Sequence, residues 1–341
     1  MMKLLVIGGS RFVGRHLVQE ALAGGHAVTM FNRGQSSPWQ PDGVQMLVGD
    51  RQGDLSALAG PAAGPWDAVI DCCAYLPADA ARMADALAGR VGRYVLISSV
   101  SAYANSRQPN DESAPLGQLD DADTRVVDGR TYGPLKALCE AAVAQRMVAA
   151  QTLLVRPGLV VGPLDPTQRF TWWPARLARA AADGLPLLAP GQPDRPLQFI
   201  DARDLAGWVL VAIAAGAHGP FNVVAPPGFT TMGGLLQACA DAVGVQPPQR
   251  WVADADLLAQ GVRPWVDLPL WLPADGEQAA FMAVPNQRAA ALGLAPRPLA
   301  QTVADTLAWW RGLPAAEQGF TLAGLPAERE AAVLAAVSQA A

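Results

Sequence analysis

Near its start the chain runs from a strand through a glycine turn straight into a helix, and this succession limits its fold more than any other feature. Lys3 to Gly8 is a short apolar, β-branched run. Gly8-Gly9-Ser10-Arg11-Phe12-Val13-Gly14 follows. From Phe12 to Ala23 the residues Val13, Leu17, Val18, Ala21 and Leu22 share one helical face, and Gly24 is the stop. The first glycine admits a tight turn, and Gly14 lets the helix pack close to the sheet. The helix N-terminus then offers unpaired N–H groups to a pyrophosphate. Gly8, Ser10, Arg11, Phe12 and Val13 are therefore candidate cofactor-binding residues.

The same alternation continues. Ala27–Phe31, Val44–Val48, Ala68–Asp71, Tyr94–Ser98 and Gln151–Arg156 read as further strands, with helical segments near Leu55–Ala59, Ala78–Leu87 and Leu135–Met147. Continuous apolar strands separated by helices predict an α/β fold, a doubly wound Rossmann-type parallel sheet covered on both faces. After Arg156 proline becomes frequent, and eight of the ten tryptophans lie beyond residue 170. Helices are expected at Trp173–Ala182, Asp204–Ala214, Thr231–Val243 and Thr302–Trp310, and short strands at Leu197–Ile200 and Phe221–Val224. The expected organisation is a dinucleotide-binding domain over residues 1–160, to which 197–225 returns, and a smaller α+β substrate lobe over 161–341. A last helix from Pro326 is expected to dock on its own domain, with a homodimer contact as the alternative.

Composition narrows the partners. Lys+Arg 25 against Asp+Glu 30 gives a net charge of −5, so no nucleic-acid surface is expected. The longest uncharged apolar stretch, Leu205 to Ala217, is 13 residues and falls short of the ~20 a membrane helix needs. Met1 to Ile7 is too short for a signal core. Cys72, Cys73, Cys139 and Cys239 show no CxxC spacing and read as free thiols of a cytoplasmic protein. His16, His26 and His218 have no ligand spacing, so no metal is expected.

Only Lys3 and Lys136 are lysines, so a lysine at a motif position carries weight. Tyr132-Gly-Pro-Leu-Lys136 opens a helix, and the i, i+4 spacing puts both side chains on one face. Thr131 is the expected N-cap, and Pro134 is tolerated in the first turn. A phenol is a poor base at neutral pH, but an ammonium within ~4–6 Å favours the phenolate, which can then exchange a proton with a substrate oxygen. Ser98-Ser99-Val-Ser101-Ala-Tyr103 ends the fifth strand, where open α/β sheets bind ligands. Ser99 is favoured to hydrogen-bond the reacting oxygen, with Ser101 as its rival. The long polar loop 104–130 reads as a surface loop or a lid over substrate.

With these residues in place, the chain resembles an extended short-chain dehydrogenase/reductase of the NAD-dependent epimerase/dehydratase family over roughly residues 3–311. The likeness rests on the glycine turn, Gly49-Asp50, Ser99/Tyr132/Lys136, Arg156-Pro157-Gly158, Arg195 through Asp201, Phe221-Asn222-Val223 and Thr302 to Trp310. It implies a Ser99–Tyr132–Lys136 catalytic triad, with Lys136 also on the nicotinamide ribose. Asp50 and Arg51 would flank the adenine, and Pro157 to Leu159 would pass the nicotinamide amide. Arg195 would hold a substrate diphosphate, although its spacing before Asp204 is shifted by two residues. Arg11 stands where the family usually has glycine, and the second strand ends Asn32-Arg33-Gly34 rather than in an acid. Arg33 and Arg11 would welcome a 2′-phosphate, which favours NADP over NAD. Asp71-Cys72-Cys73-Ala74 replaces the usual His-x-Ala-Ala, with Cys73 and Ala74 beside the cofactor as small residues rather than nucleophiles. Trp172 and Arg176, in the segment Phe170–Arg176, are further substrate-side candidates. The implied activity is hydride transfer at a carbinol or ketone carbon of a sugar nucleotide or similar polar metabolite, by a reductase or an epimerase. The alternative is a non-catalytic dinucleotide-binding protein, redox-sensing or RNA-associated.

Overall fold

Leu4 and Val6 point to one face of their strand, Leu5 and Ile7 to the other, and all four are buried, so both faces must be covered. The computed structural model describes residues 1–35, 37–60, 63–121 and 123–339. The first half holds β1 (Lys3–Ile7), α1 (Phe12–Ala23), β2 (Ala27–Asn32), β3 (Gln45–Val48), β4 (Ala68–Asp71), α2 (Pro77–Leu87), β5 (Tyr94–Ile97), α3 (Tyr132–Ala144) and β6 (Thr152–Pro157). The rest adds β7 (Leu159–Val161), α4 (Trp172–Asp183), β8 (Leu187–Pro190), β9 (Pro196–Leu197), β10 (Phe199–Asp201), α5 (Ala202–Ala214), β11 (Gly219–Val223), β12 (Thr230–Thr231), α6 (Met232–Val243), β13 (Gln249–Val252), α7 (Asp254–Ala259), α8 (Gln287–Ala291), α9 (Leu299–Arg311) and α10 (Ala327–Gln339).

Seven strands form one parallel sheet in the order β11-β6-β5-β4-β1-β2-β3. Leu4 of β1 lies opposite Val28 on one side and Ala68 on the other. The chain runs outward from β1 to β3 and then returns to β4, so strand order reverses between β1 and β4, and a crevice opens at their carboxyl ends. On one face Leu17 and Val18 of α1 and Leu205 and Val209 of α5 pack on Leu4 and Val6. On the other, Met83 and Leu87 of α2 and Val143 of α3 pack on Leu5, Val69 and Leu96. The tryptophan-rich half has its own core, in which Trp173, Leu177, Leu236, Trp271, Val303 and Val333 meet. Val333 belongs to α10, which docks on this core.

Three local expectations need correction. Leu197–Ile200 is not one strand. Gln198 interrupts it with amide bonds to Ala225 O and Val284 O, both at 2.8 Å, so β9 pairs with β12 and β10 with β7. Within 197–225 it is β11 that joins the main sheet. Leu55–Ala59 is a single 3₁₀ turn over Ser56–Leu58. Thr131 does not cap α3 with its side chain; its hydroxyl donates to Val126 O at 2.6 Å, and the Asp128 carboxylate accepts from the Arg130 and Thr131 amides.

Candidate active site

The glycine turn needs its glycines. Gly8 sits at φ +81°, and a Cβ on Gly14 would fall 2.2 Å from Gly8 O. A cavity of about 770 Å³ opens on this turn, lined by Gly8, Ser10, Arg11, Phe12, Val13, Asn32, Arg33, Asp50, Arg51 and Cys73. The backbone cradle that a side chain would fill, with helix amides at its floor, fits a dinucleotide pyrophosphate. Arg11 and Arg33 are exposed and make no ion pair among the described residues. Arg51 faces inward instead. Its two terminal nitrogens meet the Asp71 carboxylate at 2.9 and 3.0 Å, and Tyr94 donates to the same carboxylate at 2.9 Å. Burial works against the Asp71 charge, but Arg51 holds its pKa below the ordinary carboxylate range. This buried pair at the end of β4 gave no sequence signal, because its partners are 20 residues apart.

α3 rests directly on the Ser99–Tyr103 segment. A Cβ on Gly133 would come 2.0 Å from Ser101 O, so the helix approaches where glycine alone fits. Ser99 Oγ accepts from the Ser101 amide at 3.1 Å and neighbours the Tyr132 phenol. Lys136, 3% exposed, donates to Ala74 O at 2.9 Å and Ile97 O at 2.6 Å. Burial raises the Tyr132 pKa against the influence of the Ser99 hydroxyl, and burial lowers that of Lys136. The expected lowering of Tyr132 by Lys136 is thus not what the structure has: two carbonyls hold the ammonium, and the phenol keeps its proton. Cys72 and Cys73 are pushed up by burial and are thiols.

A second cavity, of about 1380 Å³, is lined by Ser99, Ser101, Tyr132, Lys136, Pro157 and Leu159, and shares Phe12, Val13, Cys72 and Tyr75 with the first. Ala74 reaches the site through its carbonyl. The structure does not bring Trp172, Arg176 or Arg195 to either cavity. Trp172 packs on Trp173 in the second core. Arg176 is buried against Glu330 at 2.7 Å. Arg195 is occupied by Leu272 O at 2.6 Å and Asp254 at 2.9 Å. In their place the wall carries Arg169, Trp265 and Phe281, which sequence reasoning missed. They come from segments without periodicity or motif. The first part of loop 104–130 is anchored: Tyr103 donates to Asn222 at 2.6 Å and accepts from Arg156, the Asn222 amide donates to Glu112 at 2.9 Å, and Arg156 is paired with Glu140 at 2.6 Å.

A nucleotide turn and a serine–tyrosine–lysine set at the same end of one parallel sheet are the layout of the extended short-chain dehydrogenases/reductases. Residues 4–224 match the NAD dependent epimerase/dehydratase family, and the chain belongs to it. It is 26% identical over 262 residues to the chloroplast stem-loop binding protein of 41 kDa b of Arabidopsis thaliana, covering 72% of this chain and 65% of that one. It is 30% identical over 242 residues to the 2-alkyl-3-oxoalkanoate reductase of Stenotrophomonas maltophilia, covering 63% and 67%. The chain thus matches about two thirds of the length of these curated relatives. The fold resembles that of the Bordetella bronchiseptica enzyme WbmH, solved with NAD+, at TM-score 0.66 and 16% identity over 92% of this chain and 99% of that one. Among the described residues no helix is long and apolar enough to cross a membrane, and no cluster of metal-ligating side chains occurs.

Proposed function

We propose that the protein is an NADP(H)-dependent reductase acting at a ketone or carbinol carbon of a small polar metabolite. The observation that carries this is Tyr132 beside Ser99 in a cavity that shares Phe12, Val13, Cys72 and Tyr75 with the one at the nucleotide turn. The turn amides and Ser10 would hold the pyrophosphate, Arg11 and Arg33 the 2′-phosphate, and Asp50 and Arg51 the adenine side. Cys73, Ala74, Pro157 and Leu159 would border the nicotinamide, with Lys136 on its ribose. The bound nicotinamide would supply the hydride. Ser99 orients the substrate oxygen, and Tyr132, holding its proton at neutral pH, gives it to that oxygen as negative charge develops. Reduction is favoured over epimerisation because Arg33 replaces the acid that selects NAD, and because a relative at 30% identity is a reductase. The free cysteines support a cytoplasmic setting.

The second reading, an RNA-associated binding protein, draws on the stem-loop binding relative. One experiment separates them. Purified protein with NADPH is assayed against ketones, 3-oxo acids and sugar nucleotides, and for retention of a stem-loop RNA. Ketone-dependent NADPH oxidation supports the reductase. RNA retention with no turnover of any ketone would falsify it.

A further inference from the structure

Of the cations around the two cavities, Arg11 and Arg33 are exposed and three others already have partners. Arg51 is held by Asp71, Lys136 by two carbonyls, and Arg107 by Glu277 at 3.0 Å. Arg130 stands on the rim in solvent. Arg169 differs from all of these. It is half-buried in the wall of the larger cavity, its Nε is buried without a hydrogen-bond partner, and its guanidinium makes no hydrogen bond or ion pair among the described residues. The guanidinium carbon lies 5.6 Å from the ring centre of Trp265, which lines the same wall. Asp165, the nearest carboxylate by sequence, is occupied with Thr167, accepting from its amide at 2.8 Å and its hydroxyl at 3.0 Å. Among the described residues no hydrogen bond satisfies the buried Nε, and only the Asp165 charge acts on the guanidinium from a distance, so a ligand that reaches it would complete it. Burial lowers the Arg169 pKa, against the Asp165 charge, which raises it.

We propose that Arg169 determines specificity by taking the carboxylate of an oxo- or hydroxy-acid substrate, in the cavity that also holds Ser99 and Tyr132. Two observations fix the chemistry. Phe281, Leu272, Trp265 and Leu116 line the same cavity, which suits an alkyl chain beside the acid. The planar fork of Arg169 matches a monoanion two oxygens at a time, whereas a phosphate dianion would need further donors. Arg195 has both terminal nitrogens engaged and lines neither cavity, so it is not placed to hold a nucleoside diphosphate there. Placing the acid as substrate rests on the reductase reading; binding of the anion does not.

The test is calorimetric titration of the NADP+-loaded protein with 3-hydroxyoctanoate, its methyl ester and inorganic phosphate. The acid should bind, the ester at least about tenfold more weakly, and phosphate weakest. Arg169→Gln should weaken the acid about tenfold to a hundredfold while the ester and NADP+ affinities stay within about twofold, which also reports an intact fold. Arg169→Lys should recover part of the loss. Absent acid binding, equal affinity for acid and ester, tighter phosphate, or an Arg169→Gln variant within about twofold of wild type would each overturn the proposal. Hydride transfer is read separately, from NADPH oxidation with 3-oxooctanoate. No oxidation alongside intact, Arg169-dependent acid binding would overturn the reductase reading and leave the anion site standing.

Discussion

Tyr132 bears a proton that is ordinarily lost only in alkali, and burial raises that threshold further. The reduction rate should therefore run flat through neutral pH and fall only above the ordinary tyrosine value of 10.0, as a rate profile with a saturating ketone would show. Tyr132→Phe should lower turnover by ~10²–10⁴-fold with NADPH affinity almost unchanged; more than a tenth of the wild-type rate would remove the assignment. Asp165 gives a stability prediction. Burial holds its carboxyl up to about 6 against an ordinary 3.8. The folded state binds the proton more tightly, so stability is full below about 4 and lost as pH rises to about 6. Asp165→Asn should raise the melting temperature at pH 7.5 and do so far less at pH 4, the ionised form costing up to ~3 kcal/mol. Equal shifts at both pH values would contradict this. At this scale the placing of Tyr132 and Lys136 on one helix was legible because they sit at helical spacing. Arg169 was not, because nothing local marks an arginine as unpaired.

Elements were legible where they are long and apolar. α1 and β4 match their predicted bounds, since one has a clear 3.6-residue stripe and the other a buried run between polar ends. β7, β8 and β13 were not seen; three or four residues carry too little pattern, and their partners lie far along the chain. Helix α10 was expected to dock, but not how. Its Glu330 accepts from buried Arg176 of α4, from Arg179 and from the Leu188 amide. Arg176 and Glu330 are 2% and 3% exposed, so removing one charge strands the other. Glu330→Gln should cost ~3–5 kcal/mol in chemical denaturation, against ~0–1 kcal/mol for the same change at exposed Glu277. If the two variants unfold alike, the pair does not hold the helix.

For the molecule as a whole, the switch point between β1 and β4 fixes where a nucleotide can lie, and the alternating pattern was enough to place it. The proposed preference for NADP rests on Arg11 and Arg33, which line the same cavity from different elements. A charge-assisted pair contributes ~1.5–3 kcal/mol, so NADP+ should bind about tenfold to a hundredfold more tightly than NAD+ and raise the melting temperature further at equal concentration. Arg33→Ala should narrow that gap; equal melting shifts in the wild type would exclude the preference. The outlines of the larger cavity were beyond sequence reading, because its wall is assembled from loops whose proximity only the folded chain creates.

The bonds joining Tyr103, Arg156, Asn222 and Glu112 also bear on how such a protein can change over generations. They tie the start of the long polar loop to the buried edge of the sheet, so an altered residue near Glu112 is felt first as lost stability, before any change in selectivity. Residues 123–130 carry no such tie to Arg156 or Asn222, although Val127 borders both cavities. New substrate preferences can therefore be sampled along that later stretch, and on the facing wall at Trp265 and Phe281, without first weakening the sheet edge.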